Sequence, residues 1–270
     1  MKQVVPRLAA NLSWLFTEHA FADRFAAARR HGFEGVECLA PYDLPAQKLA
    51  RLLNASELKL VMFNLPPGRW DAGERGLAAL PGREHEFAVG LEAGRRYAAA
   101  CGTHMLHAMA GILPAKLDRA RAFDCLVKNL RAAAQALASD GCTLLVEPIN
   151  VRDLPGYALT SLEEAVKLIE FIGEANVRLQ ADLYHLQIAG GDVYRRVQAV
   201  FPLIAHVQIA GVPFRDEPDR GELRYELLFD LLAREQYDGW IGCEYAPHAR
   251  TEDGLGWVAP WLSQSRDARD

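Results

Sequence analysis

Although hydrophobic residues fill 50% of its 270 positions, the chain has no apolar run long enough to suggest a membrane-crossing helix, which needs roughly 20 residues. It also lacks a basic stripe. With 30 Lys and Arg against 35 Asp and Glu, the formal net charge is −5, so a phosphate-backbone partner is not expected. Cysteines are few and scattered: Cys38, Cys101, Cys125, Cys142 and Cys243 never form a CxxC pair, which points to a reducing cytoplasm. Strand alternation sends Cys243 to the face opposite its neighbour Glu244, where the thiol packs under an outer helix. The opening MKQVVPRLAANLSWLF has no long apolar segment followed by a small-residue cleavage site, and it reads as the first strand. Glycine is missing from NLSWLFTEHAF, directly after that strand. An open dinucleotide fold would place a glycine-rich phosphate turn there. No organic cofactor is expected.

What the chain does contain is a regular alternation of short β-like runs and longer helical patterns. The strand candidates are RLAANL (7–12), GVECL (35–39), LKLVMFN (58–64), HMLHAM (104–109), TLLVEP (143–148), VRLQAD (177–182), IAHVQIA (204–210) and WIGCEY (240–245). Between them lie segments with a period near 3.6, such as AFADRFAAARRHG and EHEFAVGLEAGRRYAAACG, stopped by Gly32 and Gly102. Eight strands, each followed by a helix, predict a parallel sheet closed into a single (β/α)₈ TIM barrel over residues 1–262. The polar end, 263–270, reads as a solvated tail. The longest break, 64–84, is rich in Gly, Pro and Arg, and a loop of that length in a compact barrel is usually functional.

Four of the strand candidates end in a residue able to bind a metal: Glu147, Asp182, Gln208 and Glu244. Finishing a buried apolar strand on a carboxylate or amide costs solvation unless that oxygen is needed. These residues occupy the fifth to eighth strands, which are neighbours in a barrel whose active site lies at the C-terminal strand ends. Converging carboxylates repel one another, and a bound cation lets them stay ionised. Oxygen donors suit Mg²⁺ or Mn²⁺.

Further polar residues belong to the same neighbourhood. His185 follows Asp182 by three positions and is placed to bond a substrate oxygen, and His107 on the fourth strand faces the same mouth. His206 shares the inward face of Gln208 one layer deeper, where polar packing in the core is the default. A substrate carboxylate calls for a guanidinium. The candidates are Arg215, in the loop after Gln208, and Arg69, Arg75 and Arg83 in the long loop, with Arg215 and Arg69 taken as substrate-binding residues.

In the motifs AANLSWLFTE, GFEGVE, NLPPGRWDAGERG, LPGREHEF, VEPIN, DLYHLQ, HVQIAGVP and GWIGCEY, the sequence resembles the hydroxypyruvate isomerase family, within the xylose isomerase-like barrels. The resemblance runs over nearly the whole chain. It implies a metal-assisted aldose–ketose type isomerase that interconverts hydroxypyruvate and tartronate semialdehyde through an enediolate. In this pattern Glu147 and Glu244 match the proton donor and acceptor, and Asp182 and Gln208 the remaining metal positions. LPGREHE, HVQIAGVP and TEDGLGW are closer to the 2-oxo-tetronate isomerases, and Gly211 stands where hydroxypyruvate isomerases commonly carry an acid. The alternatives are therefore a 2-oxo-tetronate isomerase or a related sugar or keto-acid epimerase. The expected partner is a small 2-oxo or hydroxy acid, with no nucleic acid or membrane involved. A homo-oligomer is compatible with the sequence.

Overall fold

The computed structural model describes residues 6–262, so the polar tail set apart by the sequence lies outside the described residues. Every expected apolar run contains a strand: β1 (Arg7–Asn11), β2 (Gly35–Cys38), β3 (Lys59–Asn64), β4 (Met105–His107), β5 (Thr143–Val146), β6 (Val177–Asp182), β7 (Ile204–Ile209) and β8 (Trp240–Cys243). Each pairs in parallel with its neighbours, and β8 returns to β1, closing the barrel. The connecting layer comprises α1 (Phe21–Arg30), α2 (Ala46–Ala55), α3 (Glu84–Cys101), α4 (Arg119–Ser139), α5 (Leu162–Ile172), α6 (Leu183–Gly190), α7 (Val193–Val200) and α8 (Tyr225–Arg234). Two helices, α6 and α7, fill the step between β6 and β7. Among the described residues no helix is long and apolar enough to cross a membrane.

Local chemistry sets the helix ends. Asp118 caps α4 by accepting from the backbone of Ala120 and Arg121 at 2.6 and 3.3 Å, and Ser161 caps α5 through Glu164 N. Such caps contribute about 1 kcal/mol each. α3 stops where expected, at Gly102, whose left-handed backbone closes the last turn onto Ala98.

Alternation along the strands divides the side chains between two compartments. Outward residues such as Leu106, Val146, Leu179 and Cys243 join the large core beneath the helices, where each buried aliphatic side chain stabilises the fold by about 1.5–3 kcal/mol. Inward residues Ala9, Val61, Met62 and Leu145 form a small separate cluster against Met105 and Trp240. Gly35 makes room for the Trp240 indole, since a Cβ there would sit 2.6 Å from the ring. With Arg7 stacked 4.1 Å from the same ring, the lower end of the barrel is plugged by apolar groups. Polar chemistry is left for the other end.

Candidate active site

Each of the eight strands carries a buried polar side chain at or beside its C-terminal end. Asn11, Glu37, Asn64, His107, Glu147, Asp182, Gln208 and Glu244 are all buried, and they stand within or one residue beyond β1 to β8 in order. Sequence reasoning singled out those of β5 to β8 and His107 of β4, and missed Asn11, Glu37 and Asn64. The signal was a polar residue at or near the end of an apolar run, plain for Asn64 in LKLVMFN and fainter for Asn11 in RLAANL and Glu37 in GVECL.

Glu37 lies at the centre of this ring. Its Oε1 accepts from Asn11 Nδ2 at 3.0 Å and Gln208 Nε2 at 2.7 Å, and its Oε2 lies 2.6 Å from His206 Nε2. Gly242 is what allows the carboxylate to lie across the barrel, because a Cβ at that position would overlap it. His206 therefore has the deeper, supporting position.

Asp182 does two jobs with two oxygens. Oδ1 accepts from Tyr184 N at 2.9 Å and caps α6. Oδ2 is buried without a hydrogen bond, with His185 Nε2 and Arg215 Nη2 each 3.5 Å away. The cap starts a helix directly at the strand end, and its first turn returns His185 to the same point. Asn150 bonds His185 Nδ1 at 2.6 Å, leaving Nε2 aimed at the acids, 3.9 Å from Glu147 Oε1.

Glu147 and Glu244 differ in how tightly they are held. Glu244 Oε1 accepts from Arg215 Nη2 at 2.6 Å, and its Oε2 accepts from Asn11 at 2.9 Å and Gln208 at 2.7 Å. The ring nitrogens beside Glu147 are His107 Nδ1 at 3.6 Å and His185 Nε2 at 3.9 Å, both too far for a hydrogen bond. Burial raises all three acids: Asp182 to about 6 against the pull of Arg215, Glu244 to about 8, and Glu147 well above the usual carboxylate range with added repulsion from Glu244 and Asp182. Burial also holds His107 down to about 3 and His185 well below its ordinary value, so both rings are neutral.

The two predicted arginines part ways. Arg215 enters the site between the rings of Trp14 and Tyr184, 4.7 and 5.0 Å from their centroids. Burial works against its charge, but Glu244, Asp182 and Glu147 outweigh that and hold it cationic. Arg69 is 76% exposed and pairs with Glu74, whereas Arg75 of the same loop lines the site cavity. That cavity, about 490 Å³, is bounded by Glu147, His185, Arg215 and Glu244 below and by Trp14, Trp70, Tyr184 and Phe214 towards the mouth. Gly211 has no room for a side chain, because a Cβ would come 2.5 Å from Asp216 Oδ1 and 2.6 Å from Glu217 O.

The residues fit a divalent cation. Glu147 and Asp182, with His185 beside them, bring potential ligand atoms within 4.8 Å of one another, and the unpartnered Asp182 Oδ2 and crowded carboxyls are what an ion held by the carboxylates would satisfy. Gln208 at present turns its nitrogen to the acids, while its Oε1 accepts from Gln180 at 2.6 Å. Turning the amide would set oxygen against two carboxylates, which is favourable only with a cation between them.

Comparison with known proteins agrees with this architecture. The family model of xylose isomerase-like TIM barrels matches residues 25–261. The chain belongs to that family. It is 49% identical to a 2-oxo-tetronate isomerase of Cupriavidus necator, over 96% of this chain and 100% of the relative. It is 43% identical to a hydroxypyruvate isomerase of Escherichia coli, over 94% and 99%. A crystal structure described as an AP endonuclease, family 2, from Brucella melitensis superposes with a TM-score of 0.93 at 49% identity, covering 94% of this chain and 98% of that one. An L-ribulose 3-epimerase, 17% identical with a TM-score of 0.76, shares the fold alone. At this similarity to named isomerases, this member of the xylose isomerase-like family is an isomerase.

Proposed function

We propose that the chain is a divalent-metal-assisted isomerase of short 2-oxo, hydroxy acids, interconverting hydroxypyruvate and tartronate semialdehyde or their one-carbon-longer homologues. The observation that carries this reading is the pair Glu147 and Glu244, two buried carboxyls with raised pKa on the wall of one cavity. An aldose–ketose shift needs a proton removed from one carbon and another delivered to its neighbour, and groups that titrate near the working pH do this best.

Glu147, Asp182 and Glu244 would hold the ion, with Gln208 joining them if its amide turns. Bound there, it would supply Lewis-acid polarisation of the substrate's carbonyl and hydroxyl oxygens. The Glu147 side chain makes no hydrogen bond among the described residues, so one of its oxygens can face a substrate carbon while the other holds the ion. Glu244 is oriented by Arg215, Asn11 and Gln208, so its proton is delivered from a fixed direction. One glutamate takes the proton from the hydroxyl-bearing carbon to give the enediolate, the hydroxyl proton passes to the neighbouring former carbonyl oxygen, and the other glutamate protonates the former carbonyl carbon. The roles exchange in the reverse direction. His185 donates through Nε2 to a substrate oxygen, since Asn150 occupies Nδ1. Tyr184, Trp14 and Trp70 keep bulk water from the intermediate.

The longer acid, a 2-oxo-tetronate, is favoured by the 49% relative of that name and by a cavity of about 490 Å³, ample for an extra hydroxymethyl group. Cleavage of nucleic acid is disfavoured by the net charge of −5.

The test is a substrate panel of hydroxypyruvate and 2-oxo-tetronates with Mg²⁺, Mn²⁺ or EDTA, followed by proton NMR in D₂O. The isomerase reading expects metal-dependent conversion with deuterium on the newly protonated carbon. Exchange that returns only the starting skeleton, or inversion at one carbon, would replace it with an epimerase.

A further inference from the structure

We infer that Arg75 is the residue that receives the substrate's carboxylate, making this the cation that selects anionic over neutral hydroxy ketones. The inference rests on the reading of the site as one for short oxo acids. Two guanidinium groups line the cavity, Arg75 and Arg215. Arg215 is already committed to Glu244 at 2.6 Å and to Asp182 at 3.5 Å. Of the other arginines in loop 64–84, Arg69 and Arg83 both pair with Glu74 at 3.1 Å, and Arg83 also holds Glu86.

Arg75 differs from all of these. Its Nη1 donates to the carbonyls of Trp70 and Glu74 at 3.0 and 2.8 Å, and its guanidinium lies 3.6 Å from the Trp70 ring centroid. Among the described residues no carboxylate lies within ion-pair distance of it. A guanidinium held only by neutral groups keeps its full charge and has Nε and Nη2 left to grip an anion.

Its position is built rather than incidental. Gly76, with φ +112°, rests against the Met109 carbonyl where a Cβ would overlap it. Gly76 N donates to Pro67 O at 2.9 Å, and the residue bridges to Ala110 beyond β4. The neighbour of Arg75 is thus pinned to the barrel rim. In the strand order the β3 side of the mouth faces the β7 side, so Arg75 and Arg215 enter from opposite walls. An anionic substrate meets three acids on β5, β6 and β8, and repulsion falls if its carboxylate points to the β3 wall while its reactive carbons face Glu147 and Glu244.

The test uses the whole chain, treated with EDTA, and Trp70 emission as the reporter, with Trp70→Phe identifying its share of the signal. D-glycerate, a hydroxy acid with no carbonyl to isomerise, should give a saturable change that glycerol does not. Arg75→Met should weaken glycerate binding by about 10- to 100-fold, as expected for a lost charge-assisted hydrogen-bond pair, and Arg75→Lys should recover part of it. With metal and an oxo acid, Arg75→Met should raise KM by a similar factor with kcat within about threefold of the wild type. Glycerate binding unchanged by Arg75→Met, or an unchanged KM, overturns the assignment. If the wild type converts no oxo acid but glycerate binding still depends on Arg75, the isomerase reading falls and the anion site stands.

Discussion

The side-chain amide of Gln208 donates to two carboxylates at once, Glu37 and Glu244, at 2.7 Å each. Asn11 repeats the arrangement from the other side, at 3.0 and 2.9 Å. A fully buried acid on β2 is thereby coupled to the acid at the mouth of β8. The orientation of Glu244 depends on a residue that no substrate touches.

Gly242→Ala should break this coupling, because the new methyl overlaps the Glu37 carboxylate. Overpacking of this kind costs about 1–3 kcal/mol. Urea denaturation should show that loss, together with lower turnover, whereas an unchanged denaturation midpoint would mean the barrel has room for the methyl group.

Replacing Glu147 or Glu244 by Gln keeps the shape and removes the proton chemistry. Each variant should retain its circular dichroism and lose about 10²- to 10⁴-fold in kcat, the usual worth of general acid–base catalysis. Full activity in either variant would remove that residue from the mechanism.

Ion binding should be linked to proton release. Because burial lifts Asp182 to about 6 and Glu244 to about 8, the ion-free site retains protons at pH 7 that a cation must displace. Mn²⁺ affinity, measured by calorimetry in buffers of different ionisation enthalpy, should rise with pH through this window with protons released. The ion-free fold follows the opposite sign. These acids bind protons more tightly folded than unfolded, so their contribution to stability is present at low pH and is lost as pH rises through about 6 and then 8. Added Mn²⁺ should restore the thermal midpoint.

Glu74 holds the long loop together, accepting from Arg69 N at 2.6 Å and from the side chains of Arg69 and Arg83. The Arg83 side chain and the Arg69 backbone lower it to about 2. Here the folded value lies below the unfolded one, so the stabilisation is present above about pH 4.5 and disappears as pH falls towards 2. Glu74→Gln should lose it at neutral pH, seen as faster tryptic cleavage after Arg69. Equal cleavage rates would show that the loop is held by other contacts.

Much of the barrel was legible because its signals are local. An apolar run followed by a 3.6-residue pattern marks one βα unit whatever lies around it, and Gly102 ends α3 through its own backbone freedom. Glu147, Asp182, Gln208 and Glu244 were legible because a polar terminus on an apolar strand is costly without a purpose. Glu37 and Asn11 carried the same signal more faintly. What makes Glu37 central is its contact with His206 and Gln208, from distant parts of the chain.

The sequence by itself determined the strand count, the acids of β5, β6 and β8 and the isomerase family, since periodicity, alternation and motif order are properties of neighbours along the chain. Only the tertiary structure decided which arginine faces what. Arg69 and Arg75 sit in one loop with similar surroundings in sequence, yet one pairs with Glu74 in solvent and the other stacks on Trp70 inside the cavity. That division depends on where Gly76 meets the rim of β4, a contact between segments that closing the barrel brings together.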